Sequence, residues 1–158
     1  MKIKHLQELA QKGKIDENSS LTDRQSIIIN RPIGEVYRLI AAITNWPEWN
    51  KEVKWVKGGI NKGGDSFNWS LNGKKHYSKL DKTIEPSLIS LTNQSSLYKS
   101  ILLFRLDKTE ETQTIVTMEQ SLSGVLVFIS MNHNRLHRSI LSWLDQLKVA
   151  CENESALI

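Results

Sequence analysis

One cysteine, Cys151, is all the thiol this chain carries, so no intramolecular disulfide can form. That absence argues against the small disulfide-stapled secreted class and suits a reducing, cytoplasmic setting. A residue of this kind near the C-terminus is expected to act as a small buried hydrophobe. Long apolar runs are missing as well. The longest, residues 124–131 (GVLVFISM), falls far short of the ~20 residues that span a bilayer. The opening MKIKHLQELAQKGK has no long apolar stretch and no small-residue cleavage site, so it is not expected to be a signal peptide. Proline is scarce, and each of the three has an expected place. Pro32 suits a first helical turn, Pro47 is expected to close a helix, and Pro86 to stop a strand.

What remains is an ordinary globular composition, 39% hydrophobic and 24% charged over 158 residues. A chain of that length forms one domain and buries roughly 70% of its unfolded surface. The net charge of +4 is uneven: residues 51–82 hold eight lysines against Glu52, Asp65 and Asp81. Those lysines lack interleaved aromatics and clustered arginines, so no nucleic-acid partner is expected; a solvated sheet face is the plainer assignment.

Along the chain, IKHLQELAQ places Ile3, Leu6, Leu9 and Ala10 on one helical face, Gly13 follows as a C-terminal stop, and DENSS reads as a linker. This gives an arm and linker over residues 1–23, a domain over 24–152 and a tail over 153–158. RQSIIIN is a β-branched strand, and RPIGEVYRLIAAIT carries Val36, Leu39, Ile40 and Ile43 as one apolar helical stripe. From Val53 to Ser121 the period changes to that of strands. SFNWSL alternates, and NGKK is a hairpin turn because Asn-Gly takes positive φ readily. HYSKLDKTIEP, LISLTNQSS, YKSILLFRLDK and TQTIVTMEQSLSG supply four more strands. A last helix is expected over 130–151, with Ile129, Leu136, Ile140, Trp143, Leu144, Leu147 and Cys151 on one face. Strands grouped between helices define an α+β fold.

That order, with the segments IIINRPIGEVYRLIAAITNWPEWN, GGDSFNWSLNGKKHYSKL, TIVTMEQSLSG and SWLDQLKVACE, resembles the START-like or helix-grip superfamily (SRPBCC), and within it a polyketide cyclase/dehydrase-like bacterial subgroup. The resemblance covers residues 24–152, and the arm also resembles the N-terminus of that subgroup. It implies a curved antiparallel sheet of six to seven strands around a long C-terminal helix. Between them it implies a deep, mostly apolar cavity for hydrophobic small molecules. Strand parity agrees in part, and gives a candidate lining of Trp49, Phe67, Trp69, Leu71, His76, Leu102, Phe104, Met118, Gln120, Leu136, Ile140 and Trp143. The same side chains could instead interlock into a solid core, because interiors pack densely. Where the subgroup carries a polar His-Asn pair this chain has Leu102 and Leu103, and Gln120 stands in place of a carboxylate. Both changes favour binding over catalysis.

His133 and His137, four apart on the last helix, have metal-ligand spacing but neither the glutamate of a zinc-protease motif nor a third ligand, so no metal or other cofactor is expected. Parity turns His76 inward and Tyr77 outward, and sends Glu119 to solvent. The leading expectation is binding or carriage of a hydrophobic or amphipathic small molecule, without a membrane span. Alternatives are a cyclase/aromatase-like enzyme using His76, and a protein-interaction module using the basic hairpin 51–82. Ile101 and Leu103 on the outer sheet face hint at a homodimer.

Overall fold

The computed structural model describes residues 2–58 and 63–153. Helix α1 (Ile3–Gln11) leads into strand β1 (Leu21–Ile29), helix α2 (Ile33–Ala41), a 3₁₀ turn (Ile43–Asn45) and the single-turn helix α3 (Trp46–Trp49). Six strands follow: β2 (Val53–Lys57), β3 (Ser66–Leu71), β4 (Lys74–Ile84), β5 (Leu88–Gln94), β6 (Lys99–Glu110) and β7 (Gln113–Ser123). Helices α4 (Val127–Ser130) and α5 (His133–Glu152) close the described chain. The strands form one antiparallel sheet in the order β1-β7-β6-β5-β4-β3-β2, with α5 lying across its inner face. Asn72 and Gly73 take φ of 53° and 78°, the two positive angles the NGKK hairpin requires.

The core between α5 and the sheet is dominated by tryptophan. Trp46 has no exposed surface, and its ring meets those of Trp143, Trp69 and Phe67 edge-on at 5.1, 5.2 and 6.3 Å. Its Nε1 donates to the Ile40 carbonyl at 3.0 Å, which removes the cost of burying an indole N–H. Phe104 joins the cluster through Trp143 at 5.9 Å. Pro47 does not close the preceding helix, as the sequence suggested. Helix α2 already ends at Ala41, and Pro47 sits in the first turn of α3, where its missing N–H would have no intrahelical partner anyway.

The segment read as an arm and linker carries α1, which lies on the outer sheet face. There Leu6, Ala10 and Ile15 cover Leu88, Ile101 and Leu103. Three further expectations are corrected. Ile101 and Leu103 do face outward, but α1 buries them completely, so they offer no dimer surface. Strand β1 starts at Leu21 rather than 24. Its first half was hidden because its polar Asp23 and Gln25 bond to His137 of α5. The last helix begins at His133 rather than 130, because the Asn132 side chain caps it by accepting from the Arg135 N–H at 2.9 Å. Ile129 therefore leaves the helix face and is 70% exposed. Of the tail expected over 153–158, all but Asn153 lies outside the described residues, as do residues 59–62.

Candidate functional site: a cleft at the hairpin end of the sheet

The sheet and α5 diverge where the β3–β4 hairpin faces the start of α5. A cleft of about 560 Å³ opens there. Leu71, Tyr98, Met131 and Leu136 give it apolar surface, with Leu136 itself fully buried beneath the floor. Gln120, Ser130, Ser139, Ser142 and Asn72 add polar atoms. Lys74, Arg135 and Arg138 supply cations against one carboxylate, Glu52. That carboxylate is engaged, accepting from the Ser142 hydroxyl at 2.7 Å. Arg135 donates to the Ser130 carbonyl at 3.3 Å. Lys74 and Arg138 make no side-chain hydrogen bond or ion pair among the described residues, and the buried Ser130 hydroxyl has no partner there. The cleft thus presents an apolar floor and a rim with excess positive charge, a combination that suits an amphipathic anion.

Behind the Tyr98 wall stands His76. Its Nδ1 lies 3.1 Å from the Lys74 carbonyl, which can only accept, so Nδ1 carries the proton and Nε2 is the acceptor. The Tyr98 hydroxyl donates to that Nε2 across 3.2 Å. Burial pushes the histidine below its ordinary range, against a smaller rise from the Lys74 carbonyl, and nearby Lys74 lowers it further. Burial likewise pushes the Tyr98 phenol up. Both effects favour the neutral pair. On the other side of His76 the Trp69 ring lies at 5.2 Å, and Trp69 Nε1 donates to Ser78 at 2.7 Å. Ser78 in turn donates to Asn93, and Asn93 to Ser100 at 2.9 Å. This chain of buried hydrogen bonds crosses four strands and fixes the register behind the cleft.

Of the residues anticipated as lining, the structure brings Leu71, Gln120 and Leu136 to the cleft and sets His76 one hydrogen bond behind it. Phe67, Trp69, Phe104 and Trp143 are instead the ring cluster that fills the gap between α5 and the sheet. Leu102, Met118 and Ile140 pack into the same core. The rings pack against one another in the space where the resemblance implied a deep cavity. Trp49 stacks edge-on against Trp143 at 5.8 Å and borders a separate shallow hollow with Gln146 and Val149.

Residues the sequence did not single out for this site are Tyr98, Lys74, Arg135 and Arg138. Lys74 starts β4, Tyr98 directly precedes β6 and the two arginines lie in the N-terminal half of α5, a convergence that becomes visible only once register is known. His133 is exposed, and no cluster of three metal-ligating residues occurs among the described residues. Glu119 does point to the outer face, yet it is buried there rather than solvated. Arg24 covers it at 2.7 Å and Arg105 at 3.4 Å. Of the basic hairpin, Lys51, Lys54, Lys57, Lys74, Lys75 and Lys82 are exposed and Lys79 is half-buried, while Lys62 lies outside the described residues.

Sheet and C-terminal helix together form a START-like, helix-grip fold. The chain is similar to a START superfamily protein from Mycobacterium smegmatis (TM-score 0.71, 11% identity, 83% of this chain and 97% of that one). It is also similar to the Zhui aromatase/cyclase from Streptomyces sp. R1128 (TM-score 0.68, 10% identity, 83% and 93% covered). Against the di-domain aromatase/cyclase StfQ of the steffimycin biosynthetic pathway the TM-score is 0.70 at 15% identity, over 84% of this chain and 45% of that one. No protein-family model and no curated protein matches the sequence.

Proposed function

We propose that the protein binds an amphipathic, anionic small molecule, its apolar part on Leu71, Met131 and Tyr98 and its charged end at Lys74, Arg135 and Arg138. The observation that carries this reading is the pairing of an apolar floor with rim cations, of which Lys74 and Arg138 have no side-chain partner among the described residues. Isolated cations at the edge of an apolar hollow are costly to desolvate unless an anion arrives with the apolar group. The fold is also that of proteins described as START-superfamily members and aromatase/cyclases, which supports small-molecule chemistry in this region. Titration with anilinonaphthalene sulfonate, an anionic apolar dye, tests it. One saturable site is expected, weakened about tenfold by Arg138→Gln. Absence of a saturable site, or indifference to the substitution, contradicts the proposal.

A second reading, an aromatase/cyclase-like enzyme, draws on the His76–Tyr98 pair alone. A neutral imidazole accepting from a phenol that faces the cleft is equipped to move a proton to or from a bound carbonyl. This reading expects turnover of a poly-β-ketone mimic that is lost in Tyr98→Phe while dye binding stays; no turnover by the unaltered protein removes it.

A further inference from the structure

The turn joining β7 to α5 holds the most exposed apolar cluster of the described chain. Val125 is 98% exposed, Ile129 70%, Phe128 65% and Leu126 43%. These side chains are held outward. Val127 between them is fully buried as an anchor, and its N–H bonds the Gly124 carbonyl at 3.3 Å. The Ile129 and Met131 N–H groups bond back to Leu126 and Val127 at 3.1 and 3.0 Å, which completes a helical turn around that anchor. Gly124 takes φ of 135°, open to glycine and strained for any other residue. The backbone therefore fixes an apolar knuckle that no described residue covers.

On the cleft side of the knuckle the charge is positive. Residues 120–144 contain no Asp or Glu but do contain Arg135 and Arg138, and residues 95–106 contain none either. On the opposite side Asn18, Ser19 and Ser20 share a hollow with Val125 and Phe128, next to Asp16 and to Glu17, which Arg24 pairs at 2.9 Å. Ser130 and Met131, directly after the knuckle, line the cleft. An apolar tip flanked by cations is what inserts at the boundary between headgroups and acyl chains of an anionic bilayer. A second copy of the chain fits less well. A stable dimer buries about 800 Å² per partner, far more than four side chains on one turn supply, and a symmetric pairing brings the same cations together.

We infer that the knuckle of Val125, Leu126, Phe128 and Ile129 docks the protein on anionic phospholipid surfaces, with Arg135 and Arg138 facing the headgroups and the cleft mouth at the membrane. The inference is independent of which ligand the cleft takes.

Co-sedimentation with vesicles tests it, using phosphatidylcholine alone and an equal mixture with phosphatidylglycerol. The protein is expected to sediment with the mixed vesicles at least about fivefold more strongly than with the neutral ones, and to be released by salt. Phe128→Asp and Ile129→Asp are fully tolerable at exposed positions and are expected to lower partitioning about tenfold each. Both variants should retain dye binding in the cleft, which separates docking from the ligand site. Sedimentation unchanged by either substitution overturns the inference, as does no sedimentation with mixed vesicles. Self-association in solution that Phe128→Asp abolishes, without any vesicle binding, also overturns it in favour of a second copy.

Discussion

The Tyr98 hydroxyl donates to His76 Nε2 across 3.2 Å, and the opposite ring nitrogen is committed to the Lys74 carbonyl. Both nitrogens of the buried histidine are thus satisfied in its neutral form. Protonation would set two N–H donors in the ring, reverse the Tyr98 bond and leave the phenol hydrogen without its acceptor. The His76 pKa is accordingly depressed in the folded protein, chiefly by burial. A base whose folded pKa lies below its unfolded value of about 6.5 favours folding above that value. The contribution is lost as pH falls from about 6.5 toward the folded pKa. Histidine ring resonances followed by NMR should show one of the four histidines taking up its proton at lower pH than an ordinary imidazole. Tyr98→Phe, which removes the donor but leaves the burial, should shift that titration by less than His76's departure from its ordinary value.

Asp81 supplies a slope of the opposite sign. It is 7% exposed on the sheet, bonded through one oxygen to the Thr92 hydroxyl at 2.8 Å, while its other oxygen has no partner among the described residues. Burial pushes it up to about 6, against smaller lowering by Thr92 and Lys79. A carboxyl whose folded pKa is raised costs stability when ionised. That cost is present above about 6 and is relieved as pH falls toward the unfolded value near 4. Asp81→Asn should therefore stabilise the protein at pH 7.5 by about 1 kcal/mol after allowing for solvent screening, and by nothing at pH 4. Urea denaturation at the two pH values measures it; equal effects at both contradict the assignment.

Trp46 holds the centre of the core by three edge-on ring contacts and one hydrogen bond. Trp46→Ala should cost about 3–5 kcal/mol through cavity formation. Trp46→Phe should cost less, about 1–3 kcal/mol, because it strands the Ile40 carbonyl without removing the ring. Denaturant midpoints with unchanged slopes would confirm that both act on the native state.

Helix α1 shields Ile101 and Leu103, which are otherwise bare on the sheet's outer face. Leu6→Asp should open that face, lower the melting temperature and produce association visible by light scattering. A monomer with unchanged melting temperature would show that α1 does not cover the sheet in solution.

The strand-helix order and the hairpin at Asn72-Gly73 were legible in the sequence because each rests on local chemistry: apolar period and positive φ. So was the inward turn of His76, which follows from alternation once the hairpin register is set. The first half of β1 was less legible. Asp23 and Gln25 sit on the inner face of β1, where alternation forbids polar residues unless a distant partner such as His137 meets them. The packing between α5 and the sheet was not readable either. Parity says which side chains point inward, and only three-dimensional packing says whether Trp46, Trp69 and Trp143 meet or leave a gap. The cationic rim was spread over β4 and α5, with no sequence proximity to announce it.

Dye displacement by two amphiphiles of equal chain length tests the binding site most directly. Dodecanoate and dodecyltrimethylammonium bring the same apolar tail with opposite headgroup charge. If Lys74, Arg135 and Arg138 receive an anionic end while Leu71, Met131 and Tyr98 hold the tail, dodecanoate displaces anilinonaphthalene sulfonate at about one-tenth the concentration or less. Equal displacement by both, or by neither, contradicts the proposed site.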